Sequence, residues 1–229
     1  MMENIAILMG GDSEEKKISI KSANTIYKHI DKNQYIAYQV LCVKKNEFYA
    51  VVDSKKIKIN NKDFSFLLGS KQIKFEKVFM MIHGSPGEDG ELCSFFESKN
   101  IPYTSCNKIT SMLTFDKFKC NNYLSSLGFT VPKCQVYNKK LLIKYPCIIK
   151  PTQSGSSFGI TKVNNKQNLQ QAINTAYKYS NEVIIEDFID GKEVTCAVFT
   201  KKNTIKTLPI TEIISENEIF DYDAKYNGK

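Results

Sequence analysis

The sequence predicts an α/β chain: a doubly wound parallel-sheet region over roughly the first hundred residues, followed by an α+β region. Three observations carry this. Apolar runs of strand length alternate with helical patterns up to about Ser105, the signature of βα units. Two glycine-rich acidic loops, GGDSEE (10–15) and HGSPGEDG (83–90), end two of those runs, where open parallel sheets place their ligands. Beyond Ser105 one long helical stretch gives way to short β-like runs that suit an antiparallel sheet.

Taken in order, NIAILMGG (4–11) reads as a buried strand ending in a glycine turn. Ile18, Ala23, Ile26, Tyr27 and Ile30 follow near helical spacing, which completes a first βα unit. YQVLCV (38–43) and KVFMMI (77–82) are further strands, and GELCSFFESK (90–99) is a short helix before IPYTS (101–105). NKITSMLTFDKFKCNNYLSSLG (107–128) reads as a helix closed by Gly128 in the C′ position. TVPKCQVY (130–137), YPCIIKP (145–151) and FGITKV (158–163) are β-like, KQNLQQAINTAYKYS (166–180) is a polar-faced helix, and EVIIEDFI (182–189) and KEVTCAVF (192–199) are strands. No repeat and no low-complexity tract interrupts this order.

Composition excludes several classes of function. With 42% hydrophobic and 24% charged residues among 229, the chain can bury one large core or two smaller ones. No apolar run approaches the ~18 residues of a membrane span, and the acid-flanked N-terminus is not a basic signal peptide, so the expected location is cytoplasmic with no membrane partner. The net charge is +8, but all 32 basic residues are lysines scattered among acids. A nucleic-acid partner is therefore not expected, because base readers rely on arginine forks and clustered cations. Seven cysteines without a C-x-x-C pair, together with only two histidines, argue against a disulfide framework and a zinc site. The cysteines are expected to be reduced, buried and small.

The chemistry concentrates in a few loops. In CIIKPTQSGSSFGITKV (147–163), Gly155 and Gly159 permit close backbone approach, Ser156 and Ser157 add hydroxyls, and Lys150 supplies a point cation at the strand end. The loop lacks the Walker A pattern and, by composition alone, also fits a plain hairpin turn; Lys150 tilts the reading towards phosphate. Glu186 and Glu193 flank a glycine turn, where acids can accept ribose hydroxyls or simply be solvated. Glu15 beyond its glycine turn can hold an ammonium group. His83 sits among three glycines that strip away cover, which points it at ligand or solvent. Tyr222 and Tyr226 are unusual residues for a solvated tail.

GGDSEEKKIS, HGSPGEDG, FDKFKCNNYLSSLGFTVP, IIKPTQSGSSFGITKV, EVIIEDFIDGKEVT and FDYDAKY occur in the order and approximate spacing of the D-alanine–D-alanine ligase family of the ATP-grasp superfamily. The resemblance runs from Ile5 to the last residue. It implies an N-terminal Rossmann-like substrate domain (1–105), a central ATP-grasp subdomain with a Gly/Ser lid (106–188) and the start of a C-terminal ATP-grasp subdomain with an ω-loop (189–229). It also implies ligation of two D-alanines through an acyl phosphate, with ATP and Mg²⁺ or Mn²⁺, for peptidoglycan precursor synthesis by a homodimer.

By the same resemblance, TQSGSSFG (152–159) is the lid over the ATP phosphates, which Lys150 and Lys117 contact, with Ser156 and Ser157 in the lid. Glu193 is similar to the ribose-binding acid, and Glu186 lines the adenine pocket. Glu15 resembles the residue that holds the ammonium of the first D-alanine, joined to Ser156 and Tyr226. His83 and Glu88 flank the substrate, and Lys225 meets the γ-phosphate. The family's metal-binding Asp, Glu and Asn and an essential Arg follow the ω-loop, whereas this sequence stops at Lys229. The expectation is a chain inactive on its own; the alternatives are a nucleotide-binding module without catalysis and another ATP-grasp carboxylate–amine ligase.

Overall fold

The computed structural model describes residues 2–215 and Lys225. It falls into two units, Met1–Lys117 and Phe118–Lys229.

In the first unit β1 (Glu3–Gly10) is the hub, lying parallel to β2 (Tyr35–Lys44) on one side and to β7 (Lys77–Met80) on the other. Its residues are buried on both faces, as a central parallel strand must be. Ile7 and Met9 face α1 (Lys16–His29), whose Ile20, Ala23 and Ile26 pack there with Leu41. Ala6 and Leu8 face a second layer that holds Phe48, Phe64, Phe66, Phe75 and Phe96. The rings of Phe64 meet those of Phe48 and Phe96 edge-on at 5.4 and 5.0 Å, the geometry that ring quadrupoles favour.

The parallel core agrees with the sequence reading, but the sheet is mixed at one edge. Its order is β4-β3-β2-β1-β7, with β3 (Glu47–Val52) and β4 (Lys55–Lys58) running antiparallel. A separate hairpin, β5 (Ser65–Leu68) and β6 (Lys71–Lys74), follows. α2 (Glu91–Glu97) falls where the short helix was expected.

The long helix expected over 107–128 is two. α3 (Lys108–Phe115) starts where the Asn107 side chain accepts the Thr110 N–H at 2.9 Å, and α4 (Lys117–Ser126) follows Asp116, which leaves helical geometry at φ −91° and ψ 103°. Aspartate competes with the backbone for hydrogen bonds inside a helix and favours its ends. α4 closes as predicted: Gly128 has φ 86°, its N–H reaches Ser125 O, and Phe129 N–H reaches Leu124 O, a Schellman closure.

The second unit contains the expected antiparallel sheet. β8 (Cys134–Val136), β9 (Cys147–Pro151), β10 (Thr161–Val163) and β11 (Val183–Asp187) are ordered β10-β9-β11-β8. α5 (Leu169–Ala176) places Ala172, Ile173 and Ala176 on the face formed by Cys147, Ile149, Val183 and Ile185. By the two-residue period of a strand, Ile148, Lys150, Ile184 and Glu186 belong to the opposite face. The KEVTCAVF run divides into β12 (Glu193–Thr195) and β13 (Val198–Lys201), which pair with β15 (Thr211–Ile213) and β14 (Thr204–Thr207) respectively.

All seven cysteines are free thiols. Only Cys42, Cys93 and Cys147 are buried, while Cys106 and Cys196 are exposed, which corrects the expectation that all are core residues. Burial pushes the Cys42 thiol up to about 12, the mark of an inert structural cysteine.

Candidate functional site

The chain runs from β1 to β2 on one side of the hub strand, whereas β7 lies on the other, so β1 and β7 flank a topological switch point. Loops leaving the carboxyl ends of two such strands part and form a crevice. GGDSEE leaves β1 and HGSPGEDG follows β7, and the structure brings them together. The Ser13 hydroxyl donates to His83 O at 2.8 Å and accepts the Glu15 N–H at 3.3 Å. Gly84 has φ 68°, and a Cβ there would stand 2.9 Å from Ser13 Oγ and 3.0 Å from Glu15 Oε2. Only glycine allows the two loops this approach.

Three of the residues predicted for substrate thus share one cluster. Glu15 is 4% exposed and takes the N-cap position of α1, with its Oε2 beside Gly84. His83 is half-buried, and its Nε2 is shut off from solvent with no hydrogen-bond partner. The expectation of ligand or solvent therefore narrows, since that nitrogen does not meet solvent. Glu88 accepts the Gly84 N–H at 2.9 Å. The residue keeps an exposed flank, yet its carboxylate is crowded by the loop, and this loss of solvent lifts its pKa above the ordinary 4.5; the Gly84 hydrogen bond opposes the lift, Glu15 adds to it, and His83 and Lys117 oppose it. Ser13, which ties the loops, escaped the sequence reading, because a serine in a glycine turn carries no signal of its partner 70 residues away.

The second unit holds a different set of groups. Lys150 pairs across the sheet with Ile184, which places it diagonal to Glu186 on the same face, and the two side chains form an ion pair. Glu186 is 4% exposed, and Lys150 keeps 25% of its side chain open. Asn121 on α4 donates Nδ2–H to Glu186 Oε1 at 3.0 Å. Sequence reasoning assigned Lys150 and Glu186 to different parts of a nucleotide and missed both their pairing and Asn121.

The loop after β9 is bent rather than slack. Ser156, Ser157 and Gly159 have φ of 47°, 60° and 74°, so two serines read only as hydroxyl donors carry left-handed backbone. Such geometry in non-glycine residues is uncommon and clusters at functional loops. Phe158 stacks on Tyr179, just past α5, at 5.5 Å, and Ser154 Oγ donates to Phe158 O at 3.1 Å, which braces the loop from within. Lys162 lies 4.0 Å over the Phe188 ring.

Among the remaining predicted residues, Lys117 opens α4 close enough to Glu88 to be felt there. Glu193 stands exposed on β12, opposite Ile213. Lys225 is half-buried in helical conformation. Tyr222 and Tyr226 lie outside the described residues. Among the described residues no group of three or more His, Cys, Asp or Glu side chains is placed to hold a metal ion, so the described part does not by itself fit Mg²⁺ and no step below passes through it. No described helix is long and apolar enough to cross a membrane.

Comparison with known proteins bears on both units. The family model described as "D-ala D-ala ligase N-terminus" matches residues 4–106, and that described as "D-ala D-ala ligase C-terminus" matches residues 124–229. The D-alanine–D-alanine ligase of Azobacteroides pseudotrichonymphae is 43% identical over 99% of this chain and 73% of its own length, and that of Flavobacterium johnsoniae is 42% identical over 100% and 73%. Among solved structures, the VanG D-Ala:D-Ser ligase from Enterococcus faecalis superposes with a TM-score of 0.82 at 31% identity, covering 99% of this chain and 74% of that one. A Bacillus anthracis D-alanine–D-alanine ligase complexed with ATP gives 0.69 at 26% identity, covering 95% and 68%. With an identity of 43% to a relative of which it covers 73%, the chain belongs to the D-alanine–D-alanine ligase family, of the ATP-grasp superfamily.

Proposed function

We propose that the chain serves ATP-dependent ligation of two D-alanines to D-alanyl-D-alanine, the reaction that supplies a peptidoglycan precursor. A carboxylate oxygen of the first D-alanine attacks the γ-phosphorus and ADP leaves. The amine of the second D-alanine then attacks the acyl carbon, phosphate leaves, and the amine loses its proton. Such chemistry depends on positioning and charge neutralisation more than on protein nucleophiles.

The observation that carries this reading is the Glu15–His83–Glu88 cluster at the switch point. A buried carboxylate suits the ammonium of a small amino acid, and pairing His83 Nε2 with a ligand would relieve an unmet polar atom that costs about 1–3 kcal/mol. Lys150 and Lys117 would meet phosphate oxygens under the lid with Ser156 and Ser157, Glu186 would line the adenine pocket, Glu193 would take the ribose hydroxyls, and Lys225 would approach the γ-phosphate. The division into 1–105, 106–188 and 189–229, cytoplasmic location and homodimer formation belong to the same proposal.

Tyr226 decides the acceptor in this reading. Its phenol would complete a group with Ser156 and Glu15, and in family members of this kind tyrosine goes with the amide product and phenylalanine with the ester. The test is mass spectrometry of products from D-alanine, D-lactate and ATP, using protein expressed from its complete reading frame. Amide dominating at pH 7, with the ratio shifting towards ester in Tyr226→Phe, is the expected result; ester as the main wild-type product, or an unmoved ratio, would contradict the reading.

A further inference from the structure

The chain of contacts from α4 through β11 to β9 assigns a role to a residue outside the predicted site, and it rests on the reading of Lys150 as a phosphate ligand. Glu186 is almost wholly buried, so each of its oxygens needs a donor: Asn121 Nδ2 serves Oε1 and the Lys150 ammonium serves Oε2. A carboxylate can also take an ammonium across both oxygens. With Oε1 held by the Asn121 amide, the carboxylate is fixed in orientation and meets the Lys150 ammonium at Oε2, while the rest of the three ammonium N–H groups can serve a ligand at the partly open strand end. The amide does this without adding a second negative charge beside the ammonium.

We propose that Asn121 is a positioning residue of the nucleotide site, holding Glu186 in the orientation that presents Lys150 to phosphate. Loss of its amide frees Oε1, and the buried carboxylate then draws the ammonium away from the ligand. Because the ammonium is the group displaced, ATP loses more than adenosine, whose pocket Glu186 also lines in this reading.

Calorimetric titration of the 229-residue chain with ATP and with adenosine tests this, using wild type, Asn121→Leu, Lys150→Met and the double variant, each checked for its melting temperature. Asn121→Leu is expected to bind ATP about tenfold more weakly, with a distinctly smaller loss for adenosine, and to add nothing further in the Lys150→Met background. Asn121→Ala serves if the leucine variant does not fold, with the same expectation. Equal losses for ATP and adenosine, unchanged ATP affinity, or additive losses in the double variant would each overturn the proposal. A wild-type chain that binds no ATP would overturn this proposal and the parent reading of Lys150 together.

Discussion

At the residue scale, charges placed in poorly solvated surroundings make the sharpest predictions. Crowding lifts the Glu88 pKa, so the folded state favours the protonated acid. The stability this contributes is fully present below the ordinary carboxylate value of 4.5 and is lost as pH rises through the lifted value. Glu88→Gln keeps an acceptor for the Gly84 N–H and has no charge to lose. Its melting temperature should match wild type near about pH 4 and exceed it modestly at neutral pH; a gain that grows towards acid pH would reverse the sign worked out here. Lys150→Ala should weaken ATP binding by about 1.5–3 kcal/mol, roughly ten- to a hundredfold, through the lost charge-assisted contact, and should lower the melting temperature by leaving Glu186 buried without its cation. Calorimetry and thermal melts check the two halves, and ATP affinity within twofold of wild type would remove Lys150 from the phosphate site. Glu15, His83 and Glu88 could be singled out in the sequence because they sit in short loop motifs, and Lys150 because it ends an apolar strand run. Asn121 was not, since its partner lies 65 residues away and an asparagine on a helix gives no local sign of it.

At the element scale, the loop after β9 is built by backbone conformation and close packing. Gly159 has φ 74°, and a Cβ there would meet Tyr179 Cδ2 at 2.7 Å and Ala176 Cα at 3.3 Å, whereas Gly69 has φ 61° with nothing within 4 Å. Both alanine variants carry left-handed strain, about 1–2 kcal/mol, but only Gly159→Ala adds a collision that unseats the Phe158–Tyr179 stack. Denaturant unfolding should therefore show Gly159→Ala as the more destabilised, and Gly159→Ala alone should weaken ATP binding. Equal destabilisation with ATP affinity intact would mean that the loop is not held as described. Strands with continuous apolar runs, β1, β2, β7, β9 and β11, were legible from pattern. The strands β3 to β6 were missed. Lysines interrupt the alternation in KKIKINNK and KQIK, and the tight turns on either side of β3 use Asn46, Asp53 and Ser54 at positive φ in place of glycine. The break at Asp116 was hidden by helical periodicity continuing on both sides of it.

At the scale of the whole molecule, the two units each carry their own core and their own cluster of charged groups. Parallel-sheet topology accounts for the first cluster, since β1 and β7 are adjacent and parallel and so carry the Glu15 and His83 loops to the same end. Antiparallel register accounts for the second, because it sets Lys150 diagonal to Glu186. The sequence disclosed the order of these elements and the family they resemble; neighbouring strands and register follow from tertiary pairing that no local pattern encodes. The central claim is that the switch-point cluster is the seat of a D-alanine. Titration of the chain with D-alanine and L-alanine, in wild type and in Glu15→Gln, measures it most directly. Saturable binding of D-alanine over L-alanine, weakened at least tenfold when the buried carboxylate becomes an amide, is the predicted result. Equal affinity for the two enantiomers, or D-alanine binding that survives Glu15→Gln unchanged, would contradict it.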